Sequence, residues 1–188
     1  MDSSPESLLR YFRSLFSESD RGCVLLVASR LDESLEELHR AYVNLRASPS
    51  DKLLDILFRP HGPLSTFAAR IQLGHAYGLI PREVYDDCER LRKLRNDAAH
   101  SCNEFSFTSA TVRDRILELR APKRVADQFP GFALTEEERR AVEAPDNSEV
   151  TTKMYFVLTG MCLSIEMLVT MTRILQCNLE KFKPEGNQ

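Results

Sequence analysis

Apolar residues return every three or four positions along most of this chain, the period of an α-helix with one buried face. The clearest run predicts a long helix from Asp20 to Arg46, with Val24, Val27, Leu31, Leu35, Leu38, Tyr42 and Leu45 on one side. Before it, Leu8, Phe12, Leu15 and Phe16 predict a shorter helix over residues 4–17, within an N-terminal segment 1–18, capped by Ser4 and with Pro5 in its first turn. Ser48-Pro49-Ser50 breaks the pattern, and Leu53, Leu54 and Leu57 mark a short helix from Asp51 to Phe58. Two prolines and a glycine then impose a loop from Arg59 to Pro63.

Helical spacing resumes from Leu64 to Tyr77, with Phe67, Ala68, Ile71 and Gly74 or His75 inward and Gly78 where a C-terminal cap belongs. Gly74 implies close approach by a neighbour, and His75 reads as a packed, hydrogen-bonded histidine. Pro81 opens the next helix, whose buried stripe is Val84, Cys88, Leu91, Leu94 or Arg95, and Ala98. Val112, Ile116 and Leu119 predict a helix from Ala110 to Arg120. Residues 121–147, with Pro122, Pro130 and Pro145, read as an irregular excursion holding at most one short helix at Thr135–Val142. A last helix runs from near Ser148 to about Leu179, apolar almost all round between Phe156 and Leu168, and residues 181–188 read as a frayed tail. No run alternates at the strand period, so the expected fold is all-α, a single-domain bundle of about six to eight helices over residues 1–188.

Composition sharpens this picture. With 43% hydrophobic and 28% charged residues, the chain is of ordinary globular type, and its length suits one domain. The net charge of −3 offers phosphates no global attraction, so direct specific DNA binding is not expected. Cys23, Cys88, Cys102, Cys162 and Cys177 are odd in number and form no CxxC pair, which predicts reduced thiols in a cytoplasmic protein and no zinc site. No metal or cofactor is expected. The N-terminus lacks a signal-peptide pattern. The longest apolar run, Met154–Val169, is broken by Thr, Gly, Ser and Glu166, which favours a buried helix over a membrane span. His39 and the run Arg82, Glu83, Asp86, Asp87, Glu89, Arg90, Lys93 read as solvated polar faces.

The candidate chemistry lies in LRKLRNDAAH. Arg92, Asn96 and His100 follow at four-residue steps on one helical stripe, with Arg95 beside it. A histidine moves protons near neutral pH and an arginine grips phosphate with two donors, so Arg95, Asn96 and His100 are candidate catalytic residues for metal-free RNA cleavage. The alternative is structural: His100 interacts with the helix dipole, while Arg95 and Asn96 tie the helix to the loop at Ser101–Glu104. Arg92, Arg70, Arg113 and Arg115 are candidate binding residues; the last two lie in the most basic stretch, Arg113–Arg124, with five basic and two acidic residues.

Gly62-Pro63-Leu64, Ala69-Arg70-Ile71, Tyr77-Gly78-Leu79-Ile80, Arg95-Asn96-Asp97 with Ala99-His100, and Phe105-Ser106-Phe107 together resemble the mannitol operon repressor (MltR) family, from about residue 20 to 120. That resemblance implies an all-helical transcriptional regulator. The chain shows no helix-turn-helix and no basic recognition helix, so a repressor of this type is expected to act through protein contacts. Arg95 to His100 also looks like the R-x-x-x-x-H signature of the HEPN superfamily of helical bundles, many of them dimeric metal-independent ribonucleases. This second resemblance gives Arg95 the phosphate, His100 the acid–base work and Asn96 support, with RNA as the alternative ligand. A homodimer is expected from the HEPN habit and the apolar last helix.

Overall fold

The computed structural model describes residues 5–47, 49–101, 104–128, 134–146 and 148–181. Among these the fold is an all-α bundle without strands: α1 Pro5–Ser14, a 3-10 turn Leu15–Ser17, α2 Asp20–Ala47, α3 Asp51–Phe58, α4 Phe67–Ala76, α5 Arg82–His100, α6 Ala110–Leu117, α7 Ala121–Gln128, α8 Glu136–Glu143 and α9 Glu149–Lys181. The expected Ser4 cap and the tail beyond Lys181 lie outside the described residues.

The two longest helices, α2 and α9, pack along each other and carry the bundle; α4 and α5 lie on α2, while α1, α6, α7 and α8 lie on α9. The predicted α2 stripe is the buried one: Val24, Val27, Leu31 and Leu35 are fully inside, each such side chain contributing roughly 1.5–3 kcal/mol of transfer free energy. From α9, Tyr155, Phe156, Val157, Leu158, Met161, Cys162, Leu163 and Met167 fill the other half. The polar breaks in α9 are accommodated locally, because Thr159 and Ser164 donate their hydroxyls to the carbonyls of Tyr155 and Gly160 one turn back. A Cβ at Gly160 would come within 2.5 Å of Val27 and 2.9 Å of Phe12, so the missing side chain lets α1, α2 and α9 converge there. By length and composition alone, Glu149–Gln176 would suffice to cross a membrane; 61% of its most apolar window is buried inside the bundle, in line with the expected buried helix.

Local chemistry sets the helix ends. Thr66 accepts from the Ala69 amide and starts α4 at Phe67, five residues after Gly62. Gly78 has φ of +69° and ends α4 as expected. Thr135 and Glu138 form a reciprocal capping box at the start of α8.

Three expectations need correction. The 121–147 segment holds two helices: Pro122 falls in the first turn of α7, where its missing N–H costs nothing, and Ala121 and Val125 anchor that turn in the core. His39 is fully buried, because it lies four residues after Leu35 and three before Tyr42 on the apolar side of α2. Asp87 is likewise fully buried, between Val84 and Leu91 on the inward side of α5. Cys23, Cys88 and Cys162 are free and buried, and burial pushes the Cys23 thiol up to about 12, which keeps it protonated and unreactive.

Candidate functional site

The LRKLRNDAAH motif occupies the last ten residues of α5. Arg21 of α2 seals the end of that helix, its Nη1 donating to the carbonyls of Ala98 (2.8 Å) and Ser101 (3.0 Å), a cation placed where the helix dipole favours one. Arg95 is exposed and donates to Asn96 Oδ1 at 3.2 Å, Asp97 pairs with Arg115 of α6, and His100 is exposed at the helix end. Because α5 is continuous through His100, the five-residue offset sets Arg95 and His100 about 140° apart around its axis.

The other arginines proposed for binding are engaged with acids. Arg92 grips Glu89 through two hydrogen bonds of 3.1 and 2.9 Å. Arg113 lies 3.5 Å from Asp114, and its buried Nε has no partner among the described residues. Arg70 is not a surface residue at all. Its Nε donates to the Leu64 carbonyl at 2.9 Å, and its two terminal nitrogens reach Asp32 and Glu36 of α2. Its own carbonyl accepts from His39 Nε2 at 2.9 Å. Thus one buried guanidinium binds α4, the loop before it and α2, a geometry that suits arginine's rigid fork of donors. Burial holds the Asp32 carboxyl above its ordinary value, against the opposing pull of Arg70 and, more weakly, Arg95.

His39 completes this cluster. Burial lowers its pKa below 6.5, and the neighbouring Arg70 charge adds to that, partly offset by the bond to the Arg70 carbonyl. The folded state therefore binds this proton less readily than the unfolded chain, and the stability His39 contributes is present above pH 6.5 and is lost as pH falls through its depressed value. His39→Gln, which keeps a donor for the Arg70 carbonyl, should show a smaller fall in Tm between pH 7 and about pH 5.5 than the parent protein. Equal falls in calorimetric scans would mean that another group drives the acid sensitivity.

A second buried network went unseen in the sequence. Arg124 of α7 donates twice to Glu166 of α9, at 2.6 and 2.8 Å, and once to Asp87 of α5 at 3.2 Å; Asp87 also accepts the Arg120 amide. Burial works against the arginine's charge, but its bonds to Glu166 and the nearby Asp87 outweigh that and raise its pKa. Arg124 and Glu166 line a pocket of about 440 Å³ together with Ile80, Val84 and Met167. Among the described residues no group of three His, Cys, Asp or Glu side chains is placed to hold a metal ion.

Most pieces that carry the family resemblance prove to be joints of the scaffold. A Cβ at Gly62 would strike the carbonyl oxygens of Ile56 and Leu57 within 2.5 Å, Leu64 and Arg70 form the clamp, and Leu79 and Ile80 are core. Phe107 is buried, and its amide donates to Asp20 at 2.7 Å.

The mannitol operon repressor of Escherichia coli K12 is 40% identical over 51 residues, 27% of this chain and 26% of that protein, and the repressor of strain CFT073 matches to the same extent. The matched stretch thus spans about a quarter of the curated relatives' length. Among solved structures, the MtlR chain of the MtlR–HPr complex from Escherichia coli superposes with a TM-score of 0.59 at 21% identity, over 86% of this chain and 98% of that one. YggD of Shigella flexneri, described as a possible transcriptional regulator, gives 0.58 at 13% identity over 91% and 96%. At these identities the structures establish a shared fold. The sequence model of the mannitol repressor family matches residues 50–172, from α3 into α9. This chain belongs to the mannitol repressor family.

Proposed function

We propose that the protein is a cytoplasmic transcriptional regulator that works by contact with a protein partner, and that HPr, the partner in the related complex, is the protein it binds. The observation that carries this reading is the family match over residues 50–172, joined to a fold shared with nearly the whole HPr-bound chain. The surface chemistry supports contact with protein over contact with nucleic acid. The most basic stretch is largely neutralised from within, by Arg113 with Asp114, Arg115 with Asp97, and Arg124 with Asp87 and Glu166. A positive face able to displace counterions is therefore not assembled there. The ribonuclease alternative draws no support from the family match or from the shared fold. α9 buries Tyr155 to Leu158, Met161 to Leu163 and Met167 in the core of its own chain, so a homodimer would draw on other surfaces.

Calorimetric titration with purified Escherichia coli HPr tests the proposal. Saturable one-to-one binding is expected, with no shift of the mannitol operator DNA by this protein alone. Absence of heat at about 0.1 mM, where even a weak specific pair registers, would reject HPr as the partner.

A further inference from the structure

We infer that the pocket between the start of α5, α7 and α9 takes a small zwitterion with an apolar body, of the length of an aliphatic dipeptide. This assignment is separate from the protein-contact reading and stands whichever protein the chain contacts. The pocket has a volume of about 440 Å³, within the range of small-molecule sites and ample for a dipeptide. Its walls are apolar: Ile80, Val84 and Met167, all core residues, with Val169 beside them.

The polar groups of the lining fall into an engaged set and a free pair. Arg124 is bound to Glu166 and Asp87 through three of its N–H donors. A guanidinium carries five, so two have no acceptor among the described residues. Thr170 has given its hydroxyl hydrogen to the Glu166 carbonyl, and its oxygen is left to accept. Glu83 of α5 and Arg173 of α9 line the same pocket, are both exposed, and pair neither with each other nor with another described residue. Glu83 stands in the first turn of α5, where the dipole favours a carboxylate without a cation of its own. Arg173 follows Glu166 by seven residues, which is two turns and roughly 10 Å along the helix axis. A dipeptide answers each of these groups: its ammonium meets Glu83, its carboxylate meets Arg173, and its peptide group offers a carbonyl to Arg124 and an N–H to Thr170. Extended, it spans about 7 Å, and the long arginine side chain covers the rest. A free amino acid carries both charges on one carbon and reaches one rim charge at a time.

Calorimetric titration of the full chain with leucyl-leucine tests the assignment. Saturable binding is expected, with a Kd near or below about 1 mM. N-acetyl-leucyl-leucine, leucyl-leucine amide and free leucine should each bind roughly tenfold more weakly or worse. Glu83→Gln and Arg173→Gln change exposed side chains and should leave Tm unchanged. Each should weaken leucyl-leucine by a similar factor. Glu83→Gln should also cease to distinguish the free peptide from its acetylated form, and Arg173→Gln from its amide. No saturable heat with the parent protein, undiminished affinity for either capped peptide or for free leucine, or parental affinity in either variant overturns the assignment. HPr binding is measured apart from these titrations, so either reading can fail without the other.

Discussion

Arg124→Met is expected to lower the unfolding free energy by about 3–5 kcal/mol in urea titrations, because it strands two buried carboxylates. Asp87 is 1% exposed and Glu166 12% exposed, so neither regains full hydration when the guanidinium is removed. The Arg120 amide still satisfies one side of Asp87 but cannot neutralise it. Adding Asp87→Asn and Glu166→Gln to Arg124→Met should restore a large part of the loss, since neutral amides in the same places need no counter-charge. A lone Arg124→Met that unfolds like the parent would show that the three charges do not depend on one another.

Arg70→Met is the second large effect, expected at about 2–3 kcal/mol, the smaller figure reflecting partners that still reach water. Asp32 and Glu36 are each about one-third exposed, whereas Arg70 is 8% exposed. The loss includes the bond to the Leu64 carbonyl, which holds the loop before α4. Arg70→Lys should recover little, because one ammonium cannot reach three acceptors in a plane. The deficit should also depend on pH. Asp32 is already held above its ordinary value by burial, and removing Arg70 pushes it higher. A raised carboxyl stabilises the fold most when protonated and loses that contribution as pH rises through its folded value, so the deficit of Arg70→Met should be larger at pH 7 than in mild acid. Urea midpoints at several pH values check the sign.

Much of the architecture was legible because amphipathic spacing is a local property. The long α2 and α9, the Thr135–Glu138 cap and the Gly78 stop each follow from residues within one or two turns. The errors came from assigning a side by polarity in place of spacing. His39 keeps step with Leu35 and Tyr42, and Asp87 keeps step with Val84 and Leu91; spacing buries both positions, while polarity alone points them to solvent. Pro122 was read as a breaker although proline fits a first turn, and α7 was missed for that reason. The pairings Arg70–Asp32, Arg124–Glu166 and Arg124–Asp87 were beyond reach, because they depend on which helices pack side by side. The Arg95–His100 motif is visible in the sequence, and α5 runs through His100 as its spacing predicts.

If the protein regulates by docking, that exposed pair is dispensable for partner binding. Titration of Escherichia coli HPr into the Arg95→Ala/His100→Ala variant beside the parent is the direct measurement. Indistinguishable affinities are predicted; loss of HPr binding in the double variant alone would contradict the account and return the end of α5 to the centre of function.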